Sequence, residues 1–562
     1  MYRLLVFIFF IAFSISLFAF KSADLSKIRK TARAYRIHYP PRINGMGDDS
    51  VWMKIPAISD FTQYEPLFGT QPSFRTEVKI AYDDYAIYIL ATMFDSHPDS
   101  ILRQLGNRDT EYLNADMFSI EFDNYNNQLD AYSFRVTASG VQLDSRKSDP
   151  TYDAVWDSRV RINKEGWTVE LKIPYSALRF AKLETQIWGM QISRYIRRYR
   201  ETLHWSLESL ESSNHLTEWG LLQGIEKIEP PVRLSVTPYL MLRAEHFPNP
   251  STQNDISTSV GGGMDIKYGF NEGFTLDMSL LPDFSQVKSD NKVKNLSAFE
   301  TVYTEQRPFF REAVDLFKKG DIFYSRRIGS TPQKFYSITS SLNDNEELTK
   351  NPVQQRLLNA TKFSGRNKHG LAIGVLNAIT GNTYATARDS LNNERHLLTD
   401  PSTNYNVLVF DQALKNNSSI YIINTNVLRN KDFRKANVTA SGLSLNNKTN
   451  TYQLNVSGGM SYLQNPANTD GEKEKPSVGY KYGIGAAKTR GRFLFSAVTF
   501  VMDDKFNAND LGVTQYNNYN LNIASVSYNF YKPFWLFRNM YNTLTVTNQN
   551  NNTTHKPQSG EF

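Results

Sequence analysis

The side chains best suited to chemistry are Trp156, Trp188, Trp205 and Trp219, together with Arg108, Asp109, Arg194 and Arg198. Sugars are held by flat aromatic faces that stack on C–H groups and by planar polar groups that hydrogen-bond hydroxyls. Trp156, beside a turn between Val155 and Asp157, is expected to be exposed, whereas Trp52, Trp167 and Trp188 lie in strand-like runs that usually bury such rings. A glycosidase needs two carboxyl groups. Acidic residues abound, but none lies in a recognisable catalytic motif, and Glu170 and Glu201 are expected to face solvent or pair with arginine.

The run Asp123 to Asp130 is oxygen-rich, so Asp123, Asn126 and Asp130 form a candidate Ca²⁺ site. It lacks the EF-hand order and closing Glu, and an Asx-rich hairpin turn is the competing reading. The eight His show no HExxH spacing, and Met93 and His97 are only nominal haem ligands. No cysteine is present, which excludes disulfides, thiolate metal sites and thiol nucleophiles. Walker, Ser–His–Asp and Rossmann patterns are absent, so no cofactor is required.

The elements that must position these residues are strands. Glu77 to Tyr82, Ala86 to Met93, Met117 to Phe122, Tyr132 to Val136, Trp167 to Ile173 and Trp188 to Ile192 are short period-2 segments separated by turn signals. That pattern predicts an antiparallel β-sandwich. Residues 24–40 read as a polar lead-in, and Glu229-Pro-Pro231 as a rigid break. Beyond it, alternating strands recur from Arg233 to Phe530, spaced as in a transmembrane barrel. The segment 280–329 is too long and irregular for a hairpin turn and is expected to fold inside the barrel or at its mouth as a salt-bridged plug. Asn548 to Phe562 is polar and does not alternate like a closing strand, which suggests an incomplete barrel.

The first 19 residues, with Arg3 before the apolar run Leu4 to Phe18, read as a secretory signal peptide. Tyr (31) and Phe (35) are abundant, as aromatic girdles require, while the mean hydropathy of -0.47 excludes a helical membrane protein. The net charge of +7 is spread along the chain. The run Arg194 to Arg200 interleaves arginine with aromatics, but its alternation fits a strand with one charged face better than a nucleic-acid surface.

The blocks Pro282-Asp-Phe-Ser-Gln-Val287, Asn295-Leu-Ser-Ala-Phe-Glu300, Arg307-Pro-Phe-Phe310 and Phe323-Tyr-Ser-Arg-Arg-Ile-Gly329 resemble the signature of an outer-membrane-type β-barrel family of unassigned function. Upstream, Ile43-Asn-Gly45 with Asp49 and Trp52, Arg108-Asp109, Asp123, Gly140-Val141 with Asp144, Trp156-Asp157, Gly166-Trp167 with Glu170, Ile173-Pro174 with Leu178-Arg-Phe180, and Trp188-Gly189 resemble a family 9 carbohydrate-binding module. Asn44 replaces an Asp usual in that family. The resemblance implies a family 9-like sandwich at 39–224 and a barrel-like domain at 230–562, all-β throughout. It also implies an outer-membrane protein whose sandwich is periplasmic or cell-surface. Its partners would be a polysaccharide or oligosaccharide, outer-membrane lipid and envelope proteins, without nucleic acid. O-glycosyl hydrolysis and structural envelope assembly are the alternatives, and a binding module does not itself confer catalysis.

Overall fold

The computed structural model describes residues 29–562 apart from 148–151, 213, 231–232, 247–255, 271–272, 283–292, 312–313, 368, 431–432, 467–473, 532–534 and 562. The signal-peptide segment and most of the block Pro282 to Val287 lie outside the described residues.

The chain is all-β. Its first part packs two sheets face to face. The strands are β1 (Thr31–Arg33), β2 (Tyr35–Arg36), β3 (Thr62–Glu65), β4 (Thr76–Tyr82), β5 (Ala86–Phe94), β6 (Met117–Asp123), β7 (Tyr132–Thr137), β8 (Gln142–Arg146), β9 (Asp157–Asn163), β10 (Gly166–Pro174), β11 (Thr185–Ile196), β12 (Glu201–His204) and β13 (Gly220–Glu226). One sheet runs β1-β13-β11-β6-β7-β8, with β12 beside β11 and β3 beside β12; the other runs β2-β4-β5-β10-β9. Period-2 patterning explains the packing: Trp167, Val169, Leu171 and Ile173 all point from β10 into the core and are fully buried, opposite Phe118, Ile120 and Phe122 of β6.

Residues 31–36 of the supposed lead-in are part of this sandwich. β1 pairs in parallel with β13, and two residues later β2 pairs in parallel with β4 in the opposite sheet. One short stretch therefore straps both sheets along an edge, with Ala32, Ala34 and Ile37 buried. A Cβ on Gly224 would come within 2.8 Å of the Ala34 carbonyl, so this close approach requires glycine. The low hydrophobicity of residues 24–40 concealed the strap, because only its alanines and one isoleucine turn inward.

The second part is a fourteen-stranded antiparallel sheet in up-and-down order from Leu234–His246 to Pro557–Glu561. Among the described residues, its two edge strands do not pair with one another. The polar tail, which does not alternate like a closing strand, still supplies the last strands of the sheet, Met540–Asn551 and Pro557–Glu561. Exposed apolar side chains alternate with buried ones. Ile373, Phe410 and Ile422 are neighbours in register on the outward face, and Leu376, Val407, Thr425 and Val438 are neighbours on the inward face.

The inward face wraps around the signature segment. Phe310, Leu316, Phe317, Ile322 and Ile328 pack on Ala360, Leu376, Val409, Ile423 and Ala440, which come from five different strands. Gly320, at φ +69, sits where a Cβ would meet Ala440 at 2.7 Å. The ion pairs expected of a plug are present: Arg307–Glu305 at 2.8 Å and Arg327–Glu300 at 2.6 Å.

The ends of the large sheet differ. Connections 270–273, 367–370, 414–418, 447–451 and 489–492 are short and share one end with 531–539, whereas the long connections 281–356, 381–402 and 503–518 share the other end with the short 429–434 and 552–556. The sandwich lies at the short-turn end, where Arg490 approaches Glu218 at 3.7 Å.

Candidate carbohydrate-recognition site

Arg108, Asp109 and Trp156 converge with Asp144 and Asp153. Asp144 lies on β8; the other four lie in the connections before β6 and β9. Asp144 has no exposed side-chain surface. Its carboxylate accepts the Trp156 indole N–H at 3.0 Å and the Ala154 backbone N–H at 2.8 Å, and it pairs with the Arg108 guanidinium. Arg108 also donates to Gln142 Oε1 at 2.8 Å and lies 3.5 Å from Asp109 and 3.4 Å from Asp153. Asp109, at φ +61, accepts the Asp144 backbone N–H at 3.0 Å. Burial raises the Asp144 pKa, opposed by the Trp156 and Ala154 hydrogen bonds and by Arg108.

Carboxylate oxygens of Asp109, Asp144 and Asp153 lie within 4.8 Å of one another, a spacing that would suit a cation. The Arg108 guanidinium supplies the positive charge there. Asp109 and Asp153 remain largely exposed, as do Leu105, Tyr112 and Val155 on neighbouring stretches. The cluster thus offers a fixed guanidinium edge and two accessible carboxylates, groups that can hydrogen-bond sugar hydroxyls.

Trp156 itself is not the exposed platform expected. It is only 4% exposed, because its indole turns inward to reach Asp144 and stands edge-on to Phe134. Trp188, Trp205 and Trp219 are buried as well. Trp188 packs between Phe122 and Phe180, and Trp205 fills the space that the missing side chain of Gly220 leaves.

Arg194 does not join the cluster. Instead of lying on a charged outer face, it shares the inward side of β11 with Ile192 and Ile196. Its guanidinium donates to the carbonyls of Arg75 at 3.1 Å and Phe94 at 3.0 Å and to the Thr76 hydroxyl at 3.2 Å. Burial pulls its pKa down to about 10, opposed by Asp116 and Asp95. Arg198 remains nearer the surface and pairs with Asp95 at 2.7 Å.

The candidate Ca²⁺ residues serve three separate partners. Asp123 accepts the backbone N–H of Gln128 at 2.7 Å, Asn126 accepts from Arg29 at 3.0 Å, and Asp130 pairs with Arg146 at 2.7 Å. Asp123 therefore organises its own turn.

Glu170 and Glu201 are buried rather than solvent-facing or arginine-paired. Glu170 accepts the backbone N–H groups of Asn44 at 2.9 Å and Gly45 at 2.7 Å and the Trp52 indole at 3.0 Å. Glu201 accepts the Ser73 backbone N–H at 2.9 Å. Both tie distant loops to strands.

A second polar centre was not legible in the sequence. On the face of β6 and β11 turned away from the core, Glu121 stands opposite Gln191. Gln191 donates to Glu208 at 2.6 Å, and Glu208 also accepts the Trp219 indole at 2.9 Å and contacts His215 at 3.0 Å. Burial pushes Glu121 up to about 7, aided by the Glu208 charge. Burial acts upward on Glu208 too, but His215, His204 and Gln191 outweigh it and hold its pKa below the usual value. His204 is half-buried and stacks on Tyr64 at 4.4 Å; burial lowers its pKa. Opposite shifts on neighbouring carboxyl groups are the arrangement proton transfer uses. Here the Glu208 oxygens are already occupied by an amide, an indole and an imidazole, which makes it a packing anchor. No local motif announces this centre, since its members come from four separate segments.

Residues 43–197 match the model of the carbohydrate family 9 binding domain-like family. Residues 230–562 match the model of a domain of unknown function, DUF5916. A family 9 carbohydrate-binding module from Caldicellulosiruptor kristjanssonii, solved with cellotriose, is 16% identical, with 35% of this chain and 95% of that one covered and a TM-score of 0.26. OccK1 (OpdK) of Pseudomonas aeruginosa is 7% identical, with 78% of this chain and 84% of that one covered and a TM-score of 0.25. Comparison with curated proteins finds no match. The architecture rests on the strand order above rather than on these likenesses.

Proposed function

Because the chain belongs to the DUF5916 family, whose model spans residues 230–562, we propose that it is an outer-membrane protein that binds glycans through a periplasmic sandwich domain. The observation that carries the membrane reading is the two-faced large sheet. Its outward face presents Val375, Leu408, Phe410, Ile420, Ile422, Val456, Tyr482 and Ile484, while its inward face is filled by the signature segment, which packs on it through Phe310, Leu316, Phe317 and Ile322. A water-soluble sheet would bury the first set; a lipid-facing one exposes it. Its middle strands, such as Leu371–Thr380 and Thr403–Ala413, reach the length of about 9–11 residues that a tilted span needs.

The connections support one side for the sandwich. Outer-membrane barrels have short periplasmic turns and longer extracellular loops. The sandwich lies at the short-turn end, which supports a periplasmic placement. Its match to the carbohydrate family 9 binding domain-like family and the exposed polar groups around Arg108 support glycan binding.

The chain has no cysteine, so single-cysteine variants label without background. In intact cells, an impermeant maleimide should label a cysteine at Asn392, in the long-loop hairpin, and not one at Tyr112 in the sandwich. Membrane fractions should contain the protein with heat-modifiable gel mobility. Recovery in the soluble fraction, or labelling at Tyr112 alone, would remove the reading.

A further inference from the structure

Between the sandwich and the short turns lies a cleft of about 1180 Å³. We infer that this cleft binds an acidic oligosaccharide, with the sandwich forming one wall and the turns of the large sheet the other. The inference rests on the glycan-binding reading above and names the class of glycan.

Charge carries the argument. Arg29, Lys30, Lys415, Lys448 and Arg490 line the cleft, against a single carboxylate, Glu218. Glu218 approaches Arg490 at 3.7 Å, and Lys30 is paired with Asp60 at 2.7 Å. Arg29 donates to neutral oxygens: the Trp219 carbonyl at 2.5 Å, Asn126 Oδ1 at 3.0 Å and the Gly220 carbonyl at 3.4 Å. Lys415 and Lys448 have no ion pair among the described residues. A concave wall bearing excess positive charge focuses the field and concentrates anions.

The rest of the lining fits saccharide rather than a bare anion. Asn127, Asn416, Asn417, Thr449 and Thr217 contribute amides and hydroxyls, the groups that match sugar hydroxyls. At about 1180 Å³ the cleft exceeds the roughly 300–1,000 Å³ of ordinary small-molecule pockets and leaves room for several sugar units. The cleft borders a smaller cavity of about 280 Å³, with Asn127, Leu129, Ala413 and Asn417 lining both. Arg146, Arg179, Lys319 and Arg366 line that cavity, together with Asp130, Asp277 and Asp411. There Arg146 pairs with Asp130, and Lys319 and Arg366 pair with Asp411, so the unpaired positive charge belongs to the cleft itself.

The test is calorimetric titration of the detergent-solubilised full chain with tetragalacturonate, maltotetraose and inorganic phosphate. Tetragalacturonate should bind, and raising NaCl from about 50 to 500 mM should weaken it about tenfold. Maltotetraose and phosphate should bind at least about tenfold more weakly. Lys415→Gln and Lys448→Gln lie in exposed turns, so the fold should survive; each should cost about fivefold in affinity for the acidic sugar. Lys448→Glu should cost more. Unchanged affinity in the double Gln variant, with an unchanged circular dichroism spectrum, would overturn the cleft assignment and leave glycan binding standing. Equal binding of maltotetraose would overturn the acidic class alone. Phosphate binding as tightly as tetragalacturonate would reduce the cleft to a simple anion site. No binding by either saccharide would count against this inference and the glycan-binding reading together.

Discussion

The buried carboxylate of Asp144 accepts the indole N–H of Trp156 at 3.0 Å and turns that ring away from solvent. The same carboxylate holds Arg108 and the Ala154 N–H, so one acid sets the geometry of the whole cluster. In Asp144→Asn the charge is lost and an amide N–H faces groups that are themselves donors. Stability should fall by about 3 kcal/mol, as when one partner of a buried charged network is removed. Arg108→Ala should cost about 1 kcal/mol, because its guanidinium is partly hydrated. Urea denaturation followed by tryptophan emission measures both, since six of the seven tryptophans lie in the sandwich. A larger loss from Arg108→Ala would show that the arginine, not the acid, organises the site.

Trp188 is a core residue, and its substitution should behave as one. Trp188→Ala leaves a cavity between Phe122 and Phe180 and should cost about 3–5 kcal/mol. Folded yield would drop and every ligand would be affected alike. Trp188→Phe refills most of the space and should restore folding. A Trp188→Ala protein of normal stability that had lost only saccharide binding would contradict the burial seen here.

Glu170 fastens the segment around Trp52 to the second sheet through three donors. Glu170→Gln removes the charge from two backbone hydrogen bonds and places an amide N–H against a third donor. The expected loss is about 2 kcal/mol, concentrated locally. Limited proteolysis should cut the variant first between residues 41 and 55. Uniform acceleration of cleavage across the sandwich would mean that this acid supports the whole domain instead.

The alternation of Trp167, Val169, Leu171 and Ile173 was enough to place β10 correctly, because each side chain obeys the period of a half-buried strand. The strands of the large sheet were legible for the same reason, but the convergence of Arg108, Asp109 and Trp156 was not, because Arg108-Asp109 and Trp156 come from separate connections. Nor was the place of Arg194. Its neighbours in alternation, Ile192 and Ile196, place it inward, but an arginine there is tolerable only because the carbonyls of Arg75 and Phe94 accept from it. Those acceptors lie about a hundred residues away, so nothing local marks them. The β1–β2 strap was missed because its sequence is polar on one side and merely small on the other. The Glu121–Gln191–Glu208 centre depends wholly on strand register, which a single sequence fixes only weakly.

Glu121 makes that register measurable. Burial holds its folded pKa up at about 7, against an ordinary value of 4.5. Between those values the folded state keeps a proton that the unfolded chain has released. The associated stability is therefore full below pH 4.5 and is lost as pH rises through about 7, at up to about 1.4 kcal/mol per pH unit. His204 acts in the opposite direction: its folded pKa is lowered by burial, so the unfolded chain takes up the proton first and stability falls as pH drops through 6.5 and below. Comparing the parent with Glu121→Gln cancels the histidine contribution. Relative to the parent, the variant should gain about 2–3 kcal/mol between pH 5 and 7.5, read from urea midpoints across that range. Parallel pH curves would mean that Glu121 is ionised in the folded protein and that water reaches the face of β6 and β11.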